Sequence, residues 1–150
     1  MSQSLTVIGR RDRIDLPGLG FRNLKAKVDT GAFGCAIHCS RIEVAKRDGK
    51  MQLSFVLLDP DHPLYVDEVH WAEDFREKKV KSSSGAAEHR YIITTPVVIF
   101  GKRFNTDFSL TDRSDMKYPI LLGRKFLRKR FLVDVRFRDL SYKRKRKKVQ

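Results

Sequence analysis

The sequence is poor in cysteine and has no long hydrophobic segment. Two cysteines in 150 residues exclude a disulfide-rich scaffold and predict a reducing compartment. No apolar run approaches the ~18 residues that a membrane-spanning helix requires, so no membrane partner is expected. The first eleven residues have no apolar core of the kind that a secretory signal needs. These absences predict a cytoplasmic protein.

The common motifs for metal and nucleotide binding are also missing. The sequence has no H-E-x-x-H motif and no G-x-x-x-x-G-K-[ST] motif. Cys35, His38 and Cys39 lie close together, but a structural zinc site needs four ligands and paired-cysteine spacing is absent. We interpret the two cysteines as small buried side chains beside a strand. The sequence therefore predicts no metal and no cofactor.

Positive charge is what the sequence has in excess, and it is unevenly distributed. Lysine and arginine number 32 against 18 acidic residues, and residues 124–150 hold 13 basic against two acidic residues. The run of six cations at 143–148 predicts a disordered tail, 143–150, after a domain that ends at residue 142. Three interpretations of this tail stay open: a solvated end, a contact with RNA or ribosomes, and attraction of an acidic, glutamate-rich substrate.

Short extended segments dominate the rest of the chain. Leu24, Ala26 and Val28 alternate with lysines, which is typical of a half-buried strand. Further short strands are predicted up to 131–137, with turns between them and one short helix at 124–130. The pattern predicts an all-β protein, a small closed antiparallel barrel with one short C-terminal helix.

The most informative motif is Asp29-Thr30-Gly31-Ala32, which directly follows one of these strands. A carboxylate at a strand end, followed by a hydroxyl and a glycine, can be held by backbone N–H groups in a tight loop. Gly31 leaves room for close approach of a substrate backbone. Taken alone, such a motif more often marks only a strand that ends in an Asx-type turn.

A second segment about 90 residues later changes this interpretation. Residues 120–127 read Ile-Leu-Leu-Gly-Arg-Lys-Phe-Leu, an apolar strand that a glycine closes before a short helix. In this order and at this spacing, the two segments resemble the retropepsin-like aspartic peptidases. In that fold the apolar-apolar-glycine strand packs behind the Asp-Thr-Gly loop, so the resemblance implies a barrel of retropepsin type.

The resemblance is more specific when residues 80–85 and 110–116 are added to these two segments. Together the four resemble the bacterial family named as ATP-dependent zinc proteases, which is retropepsin-like despite that name. Members are often encoded beside an ATP-grasp ligase that adds glutamate to proteins, which implies a peptide or protein substrate and suggests a glutamate-rich one. Phe33-Gly34-Cys35 departs from the family, which usually carries a polar stretch there.

The resemblance implies a role for each motif. It implies that Asp29, Thr30 and Gly31 are catalytic. Substrate-binding residues would follow at Ala32 and in a flap with its tip at 82–85. The resemblance also implies four residues that support the loop from behind. The implied flap residues are Ser82, Ser83, Ser84 and Gly85, and the implied supporting residues are Leu122, Gly123, Arg124 and Arg113.

The number of Asp-Thr-Gly motifs in the chain determines the predicted mechanism. Aspartic proteolysis needs two carboxylates that share a proton, and the chain has a single Asp-Thr-Gly. The sequence therefore predicts a homodimeric aspartic endopeptidase with one Asp29 from each chain. Two alternatives stay open: a catalytically silent barrel that binds peptide or nucleic acid, and a zinc-dependent hydrolase, as the family name suggests.

Overall fold

The computed structural model describes residues 4–81, 85, 87–112 and 117–149, and in these residues the chain forms eleven strands, two α-helices and one short 3-10 helix, Pro17–Leu19. The strands are β1 Thr6–Ile8, β2 Arg11–Leu16, β3 Phe21–Val28, β4 Cys35–Arg47, β5 Lys50–Leu57, β6 His70–Ala72, β7 Arg76–Lys81, β8 Ala87–Ile99, β9 Lys102–Thr111, β10 Ile120–Leu122 and β11 Phe131–Val133. The helices are α1 Arg124–Leu127 and α2 Leu140–Val149. The chain is mostly β with a closed six-strand barrel, which confirms the predicted fold class.

The chain divides into two compact units. The first unit comprises Met1–Cys35, Thr95–Thr106 and Tyr118–Gln150, and the second comprises Ala36–Thr94 and Asp107–Lys117.

The first unit is built around β3. This strand pairs antiparallel with β2 and parallel with β10, and β2 pairs in turn with β8. Leu24, Ala26 and Val28 are buried whereas Lys25 and Lys27 are exposed, as the alternation in the sequence predicts. A separate two-stranded parallel sheet joins β1 to β11.

The second unit contains two hairpins. In the first, β4 and β5 pair from Cys39↔Leu57 to Arg47↔Lys50, and the turn residues Asp48 and Gly49 both have positive φ. That conformation gives the turn the twist that a tight hairpin needs, as the Asp-Gly sequence predicts. In the second hairpin, β7 pairs with β8 from Arg76↔Ile92 to Lys81↔Ala87.

Two predicted elements near the C-terminus are too long. The helix ends at Leu127 rather than at 130, and the strand ends at Val133 rather than at 137. Beyond Val133, the Asp134 carboxylate accepts hydrogen bonds from both the main chain and the side chain of Arg136, and this local turn ends the strand.

Residues 140–149 form helix α2, where the sequence argument expected a disordered tail at 143–150. The carboxylate of Asp12 accepts the main-chain N–H groups of Ser141 and Tyr142, and Lys145 pairs with Asp15. The sequence argument considered apolar burial alone and missed these polar anchors. The independence of residues 1–142 as a domain stays a prediction. Among the described residues, no helix has the length and apolar character needed to cross a bilayer.

Candidate active site

Asp29 is the first residue after β3, and its backbone is fixed by the neighbouring strand. Val28 lies opposite Leu122 in the parallel β3–β10 pair, and the Asp29 N–H donates to the Leu122 carbonyl at 2.9 Å. Leu122 is fully buried, whereas Asp29 is half-buried. The pairing therefore continues one residue past the strand and places the carboxylate at the surface of the first unit.

The Asp-Thr-Gly loop then folds back on the carboxylate. Oδ1 of Asp29 accepts the Gly31 N–H at 3.0 Å, and the Asp29 carbonyl accepts the Ala32 N–H at 3.3 Å. A Cβ at position 31 would lie 3.3 Å from Oδ1, a tight contact that explains the glycine. Within the described part of the chain, no lysine or arginine forms an ion pair with Asp29. The carboxylate is thus oriented by a backbone amide.

The start of α1 holds the far side of the loop. The N–H groups of Arg124 and Lys125 donate to the carbonyls of Ala32 and Phe33, both at 2.9 Å. A helix leaves its first N–H groups without partners inside the helix, and here the loop supplies the acceptors. The loop and the helix therefore satisfy each other's backbone groups.

Gly123 permits this contact. A Cβ at that position would lie 2.3 Å from the Gly34 carbonyl oxygen and 2.7 Å from that of Phe33, closer than real Cβ atoms approach. The Gly123 N–H also lies 3.5 Å from the buried sulfur of Cys35, its acceptor. The apolar-apolar-glycine segment therefore packs behind the loop, as the resemblance implies.

Arg124 supports the loop through its side chain as well. Its Nη1 donates to the Thr30 carbonyl at 3.0 Å, and its guanidinium lies 5.9 Å from the centre of the Phe33 ring. Arg128 lies at the same distance from that ring. Sequence reasoning missed Phe33, which is 54% exposed beside the loop; its departure from a polar stretch was the available signal.

The structure therefore brings together seven of the predicted site residues in the first unit: Asp29, Thr30, Gly31, Ala32, Leu122, Gly123 and Arg124. Gly85 belongs to the second unit, where it is exposed with a φ of 83°. Ser82, Ser83, Ser84 and Arg113 lie outside the described residues.

The cysteine and histidine residues take structural positions. Cys35 and Cys39 are buried thiols, and burial, with a smaller effect of Asp112, raises the pKa of Cys39. His38 Nε2 pairs with Asp59 Oδ1 at 2.8 Å in the second unit. In the part of the chain that the structure describes, no three His, Cys, Asp or Glu side chains form a group suited to a metal ion.

Comparisons with known proteins place these features in a family. The chain is 34% identical over 140 residues to a probable alpha-L-glutamate ligase of Desulfotalea psychrophila and 32% identical over 134 residues to one of Shewanella pealeana. Each match covers 89% of this chain, yet the chain spans only about 29% of the length of either relative.

A solved structure shows the same fold. A Legionella pneumophila protein of unknown function superposes with a TM-score of 0.73 at 24% identity, covering 92% of this chain and 99% of that one. The model of the RimB-like family, described as retropepsin-like aspartic endopeptidase RimB, matches residues 7–145. The chain therefore belongs to the RimB-like family of retropepsin-like proteins.

Proposed function

We propose that this protein is an aspartic endopeptidase that acts as a homodimer, with one Asp29 from each chain in a catalytic dyad. The observation that carries the proposal is the Asp29–Gly31 loop, held between β3, β10 and α1 in a chain with a single Asp-Thr-Gly. A lone carboxylate cannot provide both acid and base for this chemistry, so a second copy must supply the other.

The chemistry of the dyad follows from the repulsion between its charges. Two carboxylates ~3 Å apart cannot both ionise, so they share one proton and titrate as a pair. The ionised carboxylate takes a proton from water, whose oxygen attacks the peptide carbonyl carbon. The protonated one donates a hydrogen bond to the carbonyl oxygen and stabilises the charge that develops there. The C–N bond of the tetrahedral intermediate then breaks as the proton taken from water passes to the leaving amine, and the dyad keeps its one shared proton.

The exposed surface of the loop supports a two-fold contact at this place. Thr30, Gly31, Phe33 and Gly34 are all exposed in the single chain, and Phe33 presents an aromatic ring between two arginines. In a two-fold dimer the same patch meets itself, so a self-complementary surface must combine apolar and hydrogen-bonding groups. In this dimer, Thr30 hydroxyls would brace the two loops against each other.

The substrate we propose is a peptide or protein segment rich in glutamate. The support is the set of relatives named probable alpha-L-glutamate ligases, of whose length this chain spans about 29%. A peptidase that removes glutamate residues would oppose the activity those names describe. This part of the proposal concerns substrate choice and does not affect the dyad.

The test compares Asp29→Asn with Asp48→Asn on a mixed peptide library that includes glutamate-rich sequences, with products read by mass spectrometry. Asp48 is an exposed residue of the β4–β5 turn with a φ of 52°, a conformation that asparagine accepts. We expect the first variant to lose cleavage by several orders of magnitude and the second to keep it, with both dimeric by light scattering. Cleavage that survives Asp29→Asn would exclude the aspartic mechanism and favour the zinc-dependent hydrolase, whereas no cleavage by the parent chain would leave a barrel that only binds its ligand.

A further inference from the structure

The positive charge of the protein belongs to one of its two units. The first unit carries 21 lysines and arginines against five acidic residues, a net charge of +16, whereas the second carries 11 against 13, a net charge of −2. The basic residues counted at 124–150 are therefore only part of the positive charge of the first unit. A large field of one sign on one unit favours a partner with many negative charges.

The cations of α2 are held in order by a buried carboxylate. Asp12 is 1% exposed, and its two oxygens accept the N–H groups of Ser141 at 2.8 Å and Tyr142 at 3.1 Å. The Ser141 hydroxyl in turn accepts the Phe100 N–H at 2.8 Å. Burying a carboxylate opposes folding unless hydrogen-bond donors compensate it. The buried carboxylate of Asp12 obtains two of its donors from the start of α2, so it anchors this helix.

Most of the helix charge is left without a counter-charge inside the chain. Lys145 contacts Asp15 and Asn23, but among the described residues no carboxylate pairs with the other five cations of the run. These five are all exposed: Lys143, Arg144, Arg146, Lys147 and Lys148. Like charges three and four residues apart destabilise a helix. An anionic partner would offset this repulsion.

Aromatic rings lie among these cations. Arg13 lies 4.2 Å and Arg146 5.8 Å from the centre of the Tyr142 ring, and Arg144 lies 5.0 Å from that of Phe100. A cavity of about 210 Å³ opens beside them, and its lining includes Arg13, Phe100, Arg144 and Lys148. Guanidinium planes and rings offer flat faces for stacking nucleobases, which a chain of carboxylates cannot use.

This surface is separate from the Asp29 loop. Lys145 Nζ lies 2.9 Å from Asn23 Oδ1, and Asn23 precedes Asp29 by six residues along the extended strand β3. At ~3.3 Å per residue the separation along the strand is about 20 Å. That exceeds two Debye lengths of ~8 Å at physiological salt, so the charge of Lys145 is screened from Asp29.

We propose that α2 and the adjoining cavity bind the phosphodiester backbone of a nucleic acid without reading its sequence. Lysines and arginines of α2 contact phosphates, and the arginines beside Phe100 and Tyr142 stack against bases. Such binding releases counterions, so its affinity falls steeply with added salt. The proposal does not depend on the peptidase activity.

The test measures fluorescence anisotropy of labelled RNA and DNA strands of one mixed sequence, about 20 nucleotides long, from about 50 to about 200 mM salt. The full chain is compared with a triple variant, Lys143→Gln, Lys147→Gln and Lys148→Gln. The matched control replaces three exposed lysines of the second unit, Lys46, Lys50 and Lys79, in the same way. Glutamine keeps a good helix propensity, so α2 should survive the change, and circular dichroism checks that it does.

We expect the α2 variant to lose on the order of tenfold or more in affinity and to reduce the salt slope by about 2, while the control changes little. Loss on RNA alone, on DNA alone or on both supports the proposal and identifies the source of the phosphates. Equal losses in the control variant, or no binding by the parent protein, would overturn it. So would poly-L-glutamate binding as tightly as RNA with the same loss in the α2 variant, because the partner would then be an acidic peptide.

Discussion

The Arg124 guanidinium donates a hydrogen bond to the main-chain carbonyl of Thr30, with Nη1 and the oxygen 3.0 Å apart. The residue that follows the supporting glycine therefore reaches across to the middle of the Asp-Thr-Gly loop. Phe33 stands where the family usually carries a polar stretch, and the backbone carbonyl of Thr30 accepts the hydrogen bond from Arg124. The loop is thus held by one side-chain contact and by the two amides at the start of α1.

Replacing Arg124 with glutamine should impair catalysis more than folding. The loss of one donor to Thr30 loosens the loop. Because a small misplacement of catalytic groups slows the reaction strongly, we expect kcat/KM to fall on the order of tenfold or more. Arg128→Gln is the matched control, because Arg128 faces the same Phe33 ring but makes no hydrogen bond to the loop among the described residues. If steady-state kinetics on a cleaved peptide show the two variants to be equally active, the contact does not position the loop.

Substituting Gly123 by alanine should disrupt the loop sterically. The new Cβ would meet two carbonyl oxygens at 2.3 and 2.7 Å, so the strand and the loop must separate. Overpacking of this kind costs about 1–3 kcal/mol, which for a domain of this size lowers Tm by several degrees.

Gly34→Ala provides the control for that substitution. A Cβ at position 34 meets nothing within 4 Å, so its effect should be small although the residue lies in the same contact. Thermal unfolding of both variants decides the matter. A Tm for Gly123→Ala equal to that of Gly34→Ala would show that the close approach of Gly123 to the loop carbonyls does not contribute to stability.

Asp12 should make stability depend on pH in a definite direction. Burial raises the pKa of Asp12 above its ordinary value of 3.8, against the opposing effect of the backbone N–H groups of Ser141, Arg13 and Tyr142. The folded protein therefore takes up this proton at a higher pH than the unfolded chain does. Its contribution to stability is fully present below 3.8 and is lost as pH rises through the folded pKa.

The experiment compares the parent chain with Asp12→Asn, which cannot titrate at this position. The free energy of unfolding of the parent, minus that of the variant, should increase as the pH is lowered from about 7 toward about 4. Urea unfolding at several pH values measures the free energy of unfolding of both proteins. Other groups titrate in both proteins and largely cancel. A difference that shrinks toward low pH would mean that hydrogen bonding outweighs desolvation at this carboxylate.

Local patterns in the sequence predicted much of the first unit and its candidate site. Period-two alternation predicted β3, and the family resemblance carried by the Asp-Thr-Gly and Leu-Gly-Arg segments implied that Asp29 lies close to Gly123 and Arg124. These features are readable because each depends on neighbouring residues or on a glycine that a close approach requires.

Features that depend on contacts between distant residues could not be predicted from the sequence. Helix α2 is anchored by Asp12, almost 130 positions away. The sequence of residues 143–148 contains no periodicity from which a contact with this carboxylate could be predicted. The strand expected at 131–137 was cut short by the Asp134–Arg136 pairing, which competes with the sheet for the same backbone groups. In both cases polar contacts, which alternation of apolar residues does not record, decided the structure.

Chelating agents should leave the proposed activity unchanged. Carboxylates and water complete the reaction without a metal ion, and the described residues hold no group of three metal-binding side chains. Activity measured with and without a chelator, together with elemental analysis of the purified protein, tests this. Stoichiometric zinc that is lost together with the activity would favour the zinc-dependent hydrolase instead.

The dyad is tested most directly by refolding the parent chain together with Asp29→Asn in equal amounts and measuring peptide cleavage. If each active site takes one Asp29 from each of two chains, only the dimers with two parent chains cleave, and about one quarter of the activity of an all-parent sample remains. The same mixture with Asp48→Asn should keep full activity. Retention of about one half in the Asp29→Asn mixture would show that each chain works alone, and it would contradict the two-fold dyad.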